Sequence, residues 1–152
     1  MKFLIINGPN LNLLGKRQPE IYGRVSLDEI NQQLKSLAAE YRVALEFFQS
    51  NSEGEIIDVL HRAGTDKTDI DCIILNPGAL THYSYALADA VAAISIPVIE
   101  VHLSNIYGRE KFRRESVVAS VATGQITGFG PASYIAAFYA ALYLLGKEMR
   151  RI

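Results

Sequence analysis

Polar side chains that can bind and deprotonate a small molecule are concentrated between residues 7 and 23. The chain there reads Asn7-Gly-Pro-Asn-Leu-Asn-Leu-Leu-Gly-Lys-Arg-Gln-Pro-Glu-Ile-Tyr-Gly23, directly after the apolar run Phe3–Ile6. About sixteen residues follow the turn at Gly8-Pro9 before the next helix signal, whereas about 2–6 are usual in a strand-to-helix loop. Loops of this length are usually functional or disordered, and the interspersed leucines argue against disorder. The segment is therefore predicted to be a structured active-site lid over about residues 8–25.

Tyr22 is a candidate general base in this lid. An unperturbed tyrosine has a pKa of about 10 and is only ~0.1% ionised at pH 7, so a tyrosine base needs a pKa lowered by roughly 2–3 units. One arginine within about 4–6 Å lowers the pKa of an acid by about 1–3 units. Arg17 could supply much of that change, and Arg113 is a candidate for a second guanidinium. The alternative is that Tyr22, one of eight tyrosines, is an ordinary surface or core aromatic.

Two histidines follow predicted strands closely, and either could exchange a proton with a ligand. His82 comes after the third predicted strand, and His102 closes the fourth. Glu100 precedes His102 by two residues on the same strand face, so it could orient the imidazole or keep it protonated. A structural role is the alternative for a histidine at a strand end. His61 lies next to Arg62 in a predicted helix and is expected on the surface.

Three more segments can be interpreted either as turns or as parts of an anion site. Asn76-Pro77-Gly78 contains ordinary turn residues, and Ser104-Asn105 could be a helix cap. Backbone N–H groups at such strand ends can also bind a carboxylate. Arg113-Arg114 is either a solvated face or a bidentate clamp for an anion.

We expect neither a metal nor a cofactor. The histidines lack close ligand spacing, and Cys72 lies inside the apolar run Cys72–Leu75, where a buried thiol is expected. The loop Asn7-Gly-Pro-Asn10 lacks the glycine patterns of nucleotide-binding loops. Apart from Lys16 in the lid, no lysine follows a strand end, which disfavours a Schiff-base mechanism.

Strands and helices are predicted to alternate along the chain. The predicted strands are Lys2–Asn7, Val43–Phe48, Ile70–Leu75, Pro97–His102 and Gln125–Phe129. The predicted helices begin at the capping boxes Ser26–Glu29 and Ser52–Glu55, near Thr81, in the short turn Glu110–Glu115, and at Pro131 with an end at Arg150. Apolar strands between amphipathic helices are typical of a parallel sheet covered on both faces, here a five-stranded flavodoxin-like α/β fold. Ligands of such sheets bind at the carboxyl ends of the strands, where the polar clusters above fall.

Composition agrees with one ordinary domain spanning residues 1–152. Apolar residues make up 49% and charged residues 20%, so a full core is expected. The net charge of −1, without a basic block, argues against a nucleic-acid surface. The longest apolar stretch, Tyr134–Leu145, is shorter than the ~20 residues that span a bilayer, so we expect a soluble protein and no membrane partner. A single cysteine fits a reducing cytoplasm.

Four segments together resemble the type II 3-dehydroquinate dehydratases. They are the lid segment Asn7–Gly23, Asn76-Pro-Gly with Thr81-His82, Ile99-Glu-Val-His-Leu-Ser-Asn105 and Phe112-Arg-Arg114. The resemblance runs over essentially the whole chain in the order of the family. It implies the anti elimination of water from 3-dehydroquinate through an enolate, giving 3-dehydroshikimate in the shikimate pathway. It also implies that no cofactor or metal takes part.

The resemblance also implies a role for each matching residue. Tyr22 would take the proton from C2, Arg17 would lower its pKa and stabilise developing charge, and Asn10 would stabilise the enolate at the C3 carbonyl. His102 would protonate the departing C1 hydroxyl, with Asn12 and Glu100 in support. Binding of the ring hydroxyls and carboxylate would fall to the remaining residues of the motif, namely Asn76, His82, Arg113 and the backbone N–H groups of Leu103 and Ser104. Asp89 resembles an acidic residue that reaches the site of a neighbouring subunit, in a dodecamer built from trimers.

The chain departs from the pattern of the family at positions without a catalytic role. Gln18 stands where glutamate is more frequent, Leu80 where an aromatic is, Tyr83 where a small hydroxyl residue is, and Tyr107-Gly108 where His-Ala is. Two other classes of function stay open on the residues alone. A non-catalytic flavodoxin-like module that binds an anionic metabolite would need Arg113 but not Tyr22. A structural or assembly protein would need none of the polar lid residues.

Overall fold

The computed structural model describes residues 1–16, 18–65 and 67–146. Its strands are β1 (Lys2–Asn7), β2 (Ala44–Gln49), β3 (Cys72–Asn76), β4 (Val98–His102) and β5 (Gly124–Thr127). Its α-helices are α1 (Pro19–Tyr22), α2 (Leu27–Tyr41), α3 (Glu53–Ala63), α4 (Tyr85–Ala92) and α5 (Ala132–Leu144). Short 3₁₀ helices are formed by Leu11–Leu13, Gly78–His82, Ile106–Gly108 and Lys111–Arg113.

The five strands form one parallel sheet in the order β2-β1-β3-β4-β5. This is the flavodoxin-like order, so the predicted fold class is confirmed. The order reverses between β1 and β3, and Asn7 pairs with Asn76 at their carboxyl ends. On the other side of the sheet, His102 at the end of β4 pairs with Thr127 of β5. The polar residues that follow these strands therefore meet at one edge.

Each face of the sheet packs against helices. Phe3 and Ile5 of β1 join the core under α2 and α5, which contains Leu34 and Phe138. The intervening Leu4 and Ile6 join the core under α3 and α4. Burial of a large aliphatic or aromatic side chain contributes about 1.5–3 kcal/mol, so the strict alternation in β1 fixes which face each side chain takes. The covered parallel sheet expected from the apolar strands is thus present.

The two predicted capping boxes have different outcomes. At Ser26 the box is complete, because Glu29 N–H donates to Ser26 Oγ at 3.2 Å and Ser26 N–H donates to a Glu29 carboxylate oxygen at 2.7 Å. At Ser52 only the first half is present, since Glu55 N–H donates to Ser52 Oγ at 3.4 Å. The Glu55 carboxylate instead accepts from the Ser50 hydroxyl, whose oxygen takes the Ser52 N–H at 2.9 Å. Ser50 is buried and needs those partners. The predicted cap at Ser52 is therefore confirmed, and the reciprocal contact from Glu55 was predicted wrongly.

The predicted bounds are wrong at several element ends. Thr81 lies in a 3₁₀ helix rather than at the start of a long helix, and α4 begins only after Ser84, whose Oγ accepts the Leu87 N–H at 3.0 Å. The fifth strand ends at Thr127, because Gly128 takes a φ of 97°. The last helix ends at Leu144, and Gly146 takes a positive φ of 71°, which is a common way to terminate a helix. Residues 147–150 of the predicted helix lie outside the described residues.

No helix among the described residues is long and apolar enough to cross a membrane. The predicted single domain ran to residue 152, and its last six residues also lie outside the described part of the chain. That boundary stays a prediction.

Candidate active site

The carboxyl ends of β1 and β3 approach each other so closely that only glycine fits. Gly8 N–H donates to the Asn76 carbonyl at 2.8 Å, and a Cβ on Gly8 would lie 2.5 Å from the Pro77 carbonyl oxygen. Gly78 has a φ of 59°, and a Cβ there would lie 3.0 Å from the Pro9 carbonyl oxygen. The loops Gly8-Pro9 and Pro77-Gly78 therefore form a joined floor at the switch point of the sheet.

A buried hydrogen-bond chain sets the orientation of Asn76 in this floor. The Asn76 side chain accepts the Gly78 N–H at 3.1 Å and donates from Nδ2 to the Tyr134 hydroxyl at 2.9 Å. Tyr134 in turn donates to Asn7 Oδ1 at 2.5 Å. Burial raises the pKa of Tyr134, despite the hydrogen bond from Asn76, so its hydroxyl keeps its proton. The Asn76 amide is thus held between α5 and its own turn.

A cavity of about 250 Å³ opens above this floor, with the lid on one side. The lid is structured over its described residues, since Leu11 and Leu14 are buried in the core and Asn10 N–H donates to Asn51 Oδ1 at 2.9 Å. The sequence had pointed to nine of the residues that line the cavity, which are Asn10, Tyr22, Asn76, Gly78, His82, His102, Leu103, Ser104 and Arg113. Strand ends and lid therefore meet in one pocket, as expected from the topology.

Tyr22 lies against a guanidinium at this pocket. Arg109 Nη1 donates to the phenolic oxygen of Tyr22 at 3.3 Å, and the Arg109 guanidinium carbon lies 5.5 Å from the centre of the Tyr22 ring. The same Nη1 donates to Ser104 Oγ at 3.3 Å. The contact fixes the phenolic oxygen of Tyr22 at the wall of the pocket.

His102 is hydrogen-bonded to a carboxylate that is fully buried behind the pocket. Its Nε2 lies 2.6 Å from Glu100 Oε1, and Glu100 is 0% exposed. Glu100 also accepts from the hydroxyls of Thr81 and Ser116, the latter at 2.8 Å and 3.0 Å to its two oxygens. Burial by itself raises the pKa of Glu100, but the bond and charge of His102 and the two hydroxyls outweigh it, so the pKa is lowered overall. An ionised carboxylate only accepts hydrogen bonds, so His102 Nε2 must carry the hydrogen.

His82 has the complementary character of a neutral imidazole. Burial lowers its pKa, with smaller contributions in the same direction from His102 and Arg113, although its bond to the Glu115 carbonyl acts the other way. Its Nδ1 lies 2.7 Å from that carbonyl oxygen, which can only accept, so Nδ1 carries the hydrogen. Nε2 of neutral His82 is therefore an acceptor suited to a substrate hydroxyl.

One carboxylate lies beside two arginines of the pocket. A Glu110 carboxylate oxygen lies 3.3 Å from Arg109 Nε and 3.6 Å from Arg113 Nε. Arg113 also stacks on Phe112, with its guanidinium carbon 4.9 Å from the ring centre. The pocket therefore presents two oriented guanidinium groups that can bind an anionic substrate group.

Several predicted site residues lie elsewhere. Asn12 is exposed and lines a different cavity with Lys16 and Gln49, so the structure does not bring it to the pocket. Asp89 is exposed on α4 and is not in the lining of the pocket either. Arg17 lies outside the described residues. As expected, His61 is exposed and Cys72 is buried, and burial raises the pKa of its thiol to about 12.

Sequence reasoning missed Arg109 and Ser116. Arg113 was a candidate for the second guanidinium near Tyr22; the structure places Arg109 on the phenolic oxygen, and Arg113 lines the same cavity. A signal for Arg109 existed, because it lies in the segment between β4 and β5 that also holds Ser104 and Arg113. Ser116 had no comparable signal. It lies in an irregular segment, and its contact with Glu100 of β4 joins residues that are distant in the sequence.

Comparisons with known proteins show the family of this chain. The sequence model of the family described as Dehydroquinase class II matches residues 1–142. This chain belongs to the class II dehydroquinase family. A relative named 3-dehydroquinate dehydratase from Pelotomaculum thermopropionicum is 58% identical over 146 residues, which cover 96% of this chain and 99% of the relative. One with the same name from Bacillus subtilis is 52% identical over 148 residues, covering 97% of this chain and 98% of the relative.

The fold comparison leads to the same family. The crystal structure of a type II dehydroquinase from Butyrivibrio crossotus matches with a TM-score of 0.89 at 45% identity, covering 93% of this chain and 97% of that one. The resemblance seen in the four sequence segments is therefore confirmed as membership in a dehydroquinase family.

Proposed function

We propose that this pocket dehydrates 3-dehydroquinate to 3-dehydroshikimate, a hydro-lyase reaction of the shikimate pathway. The relatives above are named for dehydratase activity on this substrate. One observation carries the assignment on the structural side. A tyrosine in contact with a guanidinium and a histidine bonded to a buried carboxylate line the same cavity, as a base and an acid must.

The reaction begins with proton removal at C2. The Tyr22 phenolate takes that proton, and the C2–H electrons form an enolate whose charge rests on the C3 oxygen. Asn10, on the lid side of the cavity, stabilises that oxygen, and the positive charge of Arg109 stabilises the phenolate before transfer. Arg17 has the same role through its place in the family motif.

Loss of water completes the elimination. The C3 carbonyl re-forms, the electrons move into a C1–C2 double bond, and the C1–O bond breaks. His102 gives its proton to the departing hydroxyl, so that water leaves from the face opposite to Tyr22. Nε2 of His102 donates to Glu100, so the proton given to the hydroxyl is a second one, carried on Nδ1 of the imidazolium. The ring is left neutral with its hydrogen on Nε2.

The remaining pocket residues bind the substrate. Arg113 and the Leu103-Ser104 backbone hold the carboxylate, while Asn76 and neutral His82 hold ring hydroxyls. None of these steps requires a metal or cofactor, which stays a prediction. A chain with one cysteine, buried as a free thiol, suits the reducing cytoplasm in which we place the reaction.

We further propose that the chain assembles as a homododecamer of four trimers. Tyr85, Ala86 and Asp89 are exposed together on α4, although the helix is apolar apart from Asp89. Tyr83 and Phe112 add exposed aromatic surface, at 61% and 67%. Exposed apolar surface of this kind is typical of an interface. Asp89 then completes the pocket of an adjacent protomer.

The activity is tested by adding purified protein to 3-dehydroquinate and following the ultraviolet absorbance of the conjugated enone product. Growth of that absorbance, abolished in His102→Ala, is the expected result. Binding of 3-dehydroquinate in calorimetry without any absorbance growth would favour the anion-binding module instead. If 3-dehydroquinate is neither bound nor converted, a structural or assembly role would be favoured.

A further inference from the structure

Glu100 collects hydrogen bonds from three separate segments of the chain. His102 reaches it from β4, Thr81 from the 3₁₀ helix Gly78–His82, and Ser116 from the segment after Lys111–Arg113. Neither Thr81 nor Ser116 lines the pocket, so neither can touch a substrate there. Their side chains nevertheless converge on the one carboxylate that holds the proposed acid.

The hydrogens available in this cluster leave little freedom in its arrangement. Ser116 Oγ accepts the Ala119 N–H at 2.9 Å, so its own hydrogen points to Glu100 or to Thr81 Oγ1, which is 2.8 Å away. Thr81 Oγ1 in turn donates to Glu100. In the first arrangement both hydroxyl hydrogens go to the carboxylate. In the second, Thr81 donates to Glu100 while Ser116 donates to Thr81. The hydrogen on His102 Nε2 goes to Glu100 in both.

We propose that Thr81 and Ser116 are positioning residues for the general acid: their hydroxyls keep Glu100 an ionised acceptor, and Glu100 thereby fixes the His102 ring and its tautomer. This inference rests on the role of His102 given under the proposed function. It assigns a role to two residues that act only through another side chain.

The physical reason is the cost of a buried charge. A carboxylate with 0% exposure is stable only if donors replace the water it has lost. His82 interacts electrostatically with both Glu100 and His102, but its Nδ1 hydrogen goes to the Glu115 carbonyl and not to Glu100. The two hydroxyls therefore supply donors that His102 alone does not provide. Without them, Glu100 competes with His102 for the proton.

Nitrogen-15 NMR of the histidines in the full-length protein tests this directly. The wild type is expected to show one His102 tautomer, with hydrogen on Nε2. Ser116→Ala and Thr81→Val should introduce a second signal or exchange broadening at His102. Thr81→Ser and Ser116→Thr each keep a hydroxyl at the position and should therefore keep the single His102 signal.

Kinetics supply a second readout. Because neither hydroxyl reaches the pocket, kcat should fall about tenfold in Ser116→Ala while KM changes little, less than the 10²–10⁴-fold typical of a general acid removed outright. Ser133→Ala is the matched control. Ser133 is a buried serine whose Oγ accepts the Phe129 N–H at 3.2 Å, so loss of its hydroxyl should lower stability but leave the His102 signal and kcat unchanged.

An unchanged His102 signal together with an unchanged kcat in both hydroxyl-deleting variants would overturn the proposal. If Thr81→Val does not fold, Ser116→Ala decides alone, because Ser116 is only half-buried. The NMR result does not depend on turnover. A wild-type protein inactive on 3-dehydroquinate would therefore refute the proposed function. The NMR signal of His102 in the variants would still test the positioning role.

Discussion

Arg109 and Tyr22, 87 positions apart in the chain, are in direct contact in the folded protein. The guanidinium donates to the phenolic oxygen at 3.3 Å and lies over the ring at 5.5 Å. Glu110 holds the other side of the guanidinium at 3.3 Å. The phenolic oxygen of Tyr22 is therefore held in place by an arginine that a carboxylate itself orients.

Tyr22→Phe should abolish nearly all turnover. The variant keeps the ring that Arg109 covers and loses only the oxygen that takes the proton, so kcat should fall by about 10²–10⁴-fold. Product binding, measured by calorimetry, should stay within roughly tenfold because other groups bind the substrate. Retention of more than about a tenth of the wild-type activity would remove Tyr22 from the role of base.

Arg109→Ala should lower kcat, because the guanidinium that donates to the phenolic oxygen of Tyr22 and covers its ring is lost. Misplacement of a reacting group can cost up to about 10²-fold in rate. Arg62→Ala, at an exposed arginine of α3, is the control and should leave kcat unchanged. An unchanged kcat in Arg109→Ala would remove Arg109 from the site. We expect Arg17→Ala to lower kcat as well.

Glu100 should make the stability of the protein depend on pH in the acid range. Its pKa is lowered on folding, so its contribution to the free energy of unfolding is complete above the ordinary value of 4.5 and is lost as pH falls through the lower folded value. Urea denaturation of wild type and Glu100→Gln across this range should show a difference that shrinks as pH falls. Glu40→Gln, at an exposed position of α2, should show no such dependence. A difference that grows on acidification would contradict an ionised Glu100.

Sodium borohydride and chelators should leave the enzyme active. The proposed elimination passes through an enolate, so no imine forms for borohydride to reduce. Among the described residues there is no cluster of His, Cys, Asp or Glu suited to a metal ion, which motivates the chelator arm. Activity is measured after treatment with and without substrate. Inactivation by borohydride in the presence of substrate, with added mass on a lysine, would point to a different mechanism.

Light scattering should show an assembly many times heavier than the 16.8 kDa chain. Asp89→Ala should weaken the assembly, the activity or both, because Asp89 is proposed to act in the pocket of a neighbour. Asp58→Ala removes an exposed carboxylate from α3 and is the matched control. A fully active monomer in dilute solution would exclude a shared site and leave the chemistry untouched.

Local signals predicted the framework of the site well. The run Phe3–Ile6 alternates between the two cores, and the Ser26–Glu29 box starts α2 where expected. The reciprocal half of the second box is absent because Ser50, a residue outside the motif, bonds both the Glu55 carboxylate and the Ser52 N–H. Helix ends were less predictable, since α5 ends at Leu144, before Gly146, and not at the predicted Arg150.

Side-chain partners across the pocket were the least predictable feature. Arg109 and Arg113 are equally basic in sequence and only four positions apart, yet only Arg109 has a described hydrogen bond to Tyr22. That choice depends on the 3₁₀ segments Ile106–Gly108 and Lys111–Arg113, whose geometry no local pattern encodes. The exposed position of Asp89 likewise follows from which face of α4 packs against the core, since Leu87 and Val91 are buried and Asp89 is not.

The sequence by itself determined the parallel sheet, the edge where the polar side chains gather and the family to which the chain belongs. These depend on short-range periodicity, turn residues and motif identity, which are properties of contiguous residues. Only the tertiary structure decided that Arg109 contacts Tyr22 and that Thr81 and Ser116 meet at Glu100. Those contacts join residues far apart in the chain, and burial of the carboxylate between three segments is what brings them together.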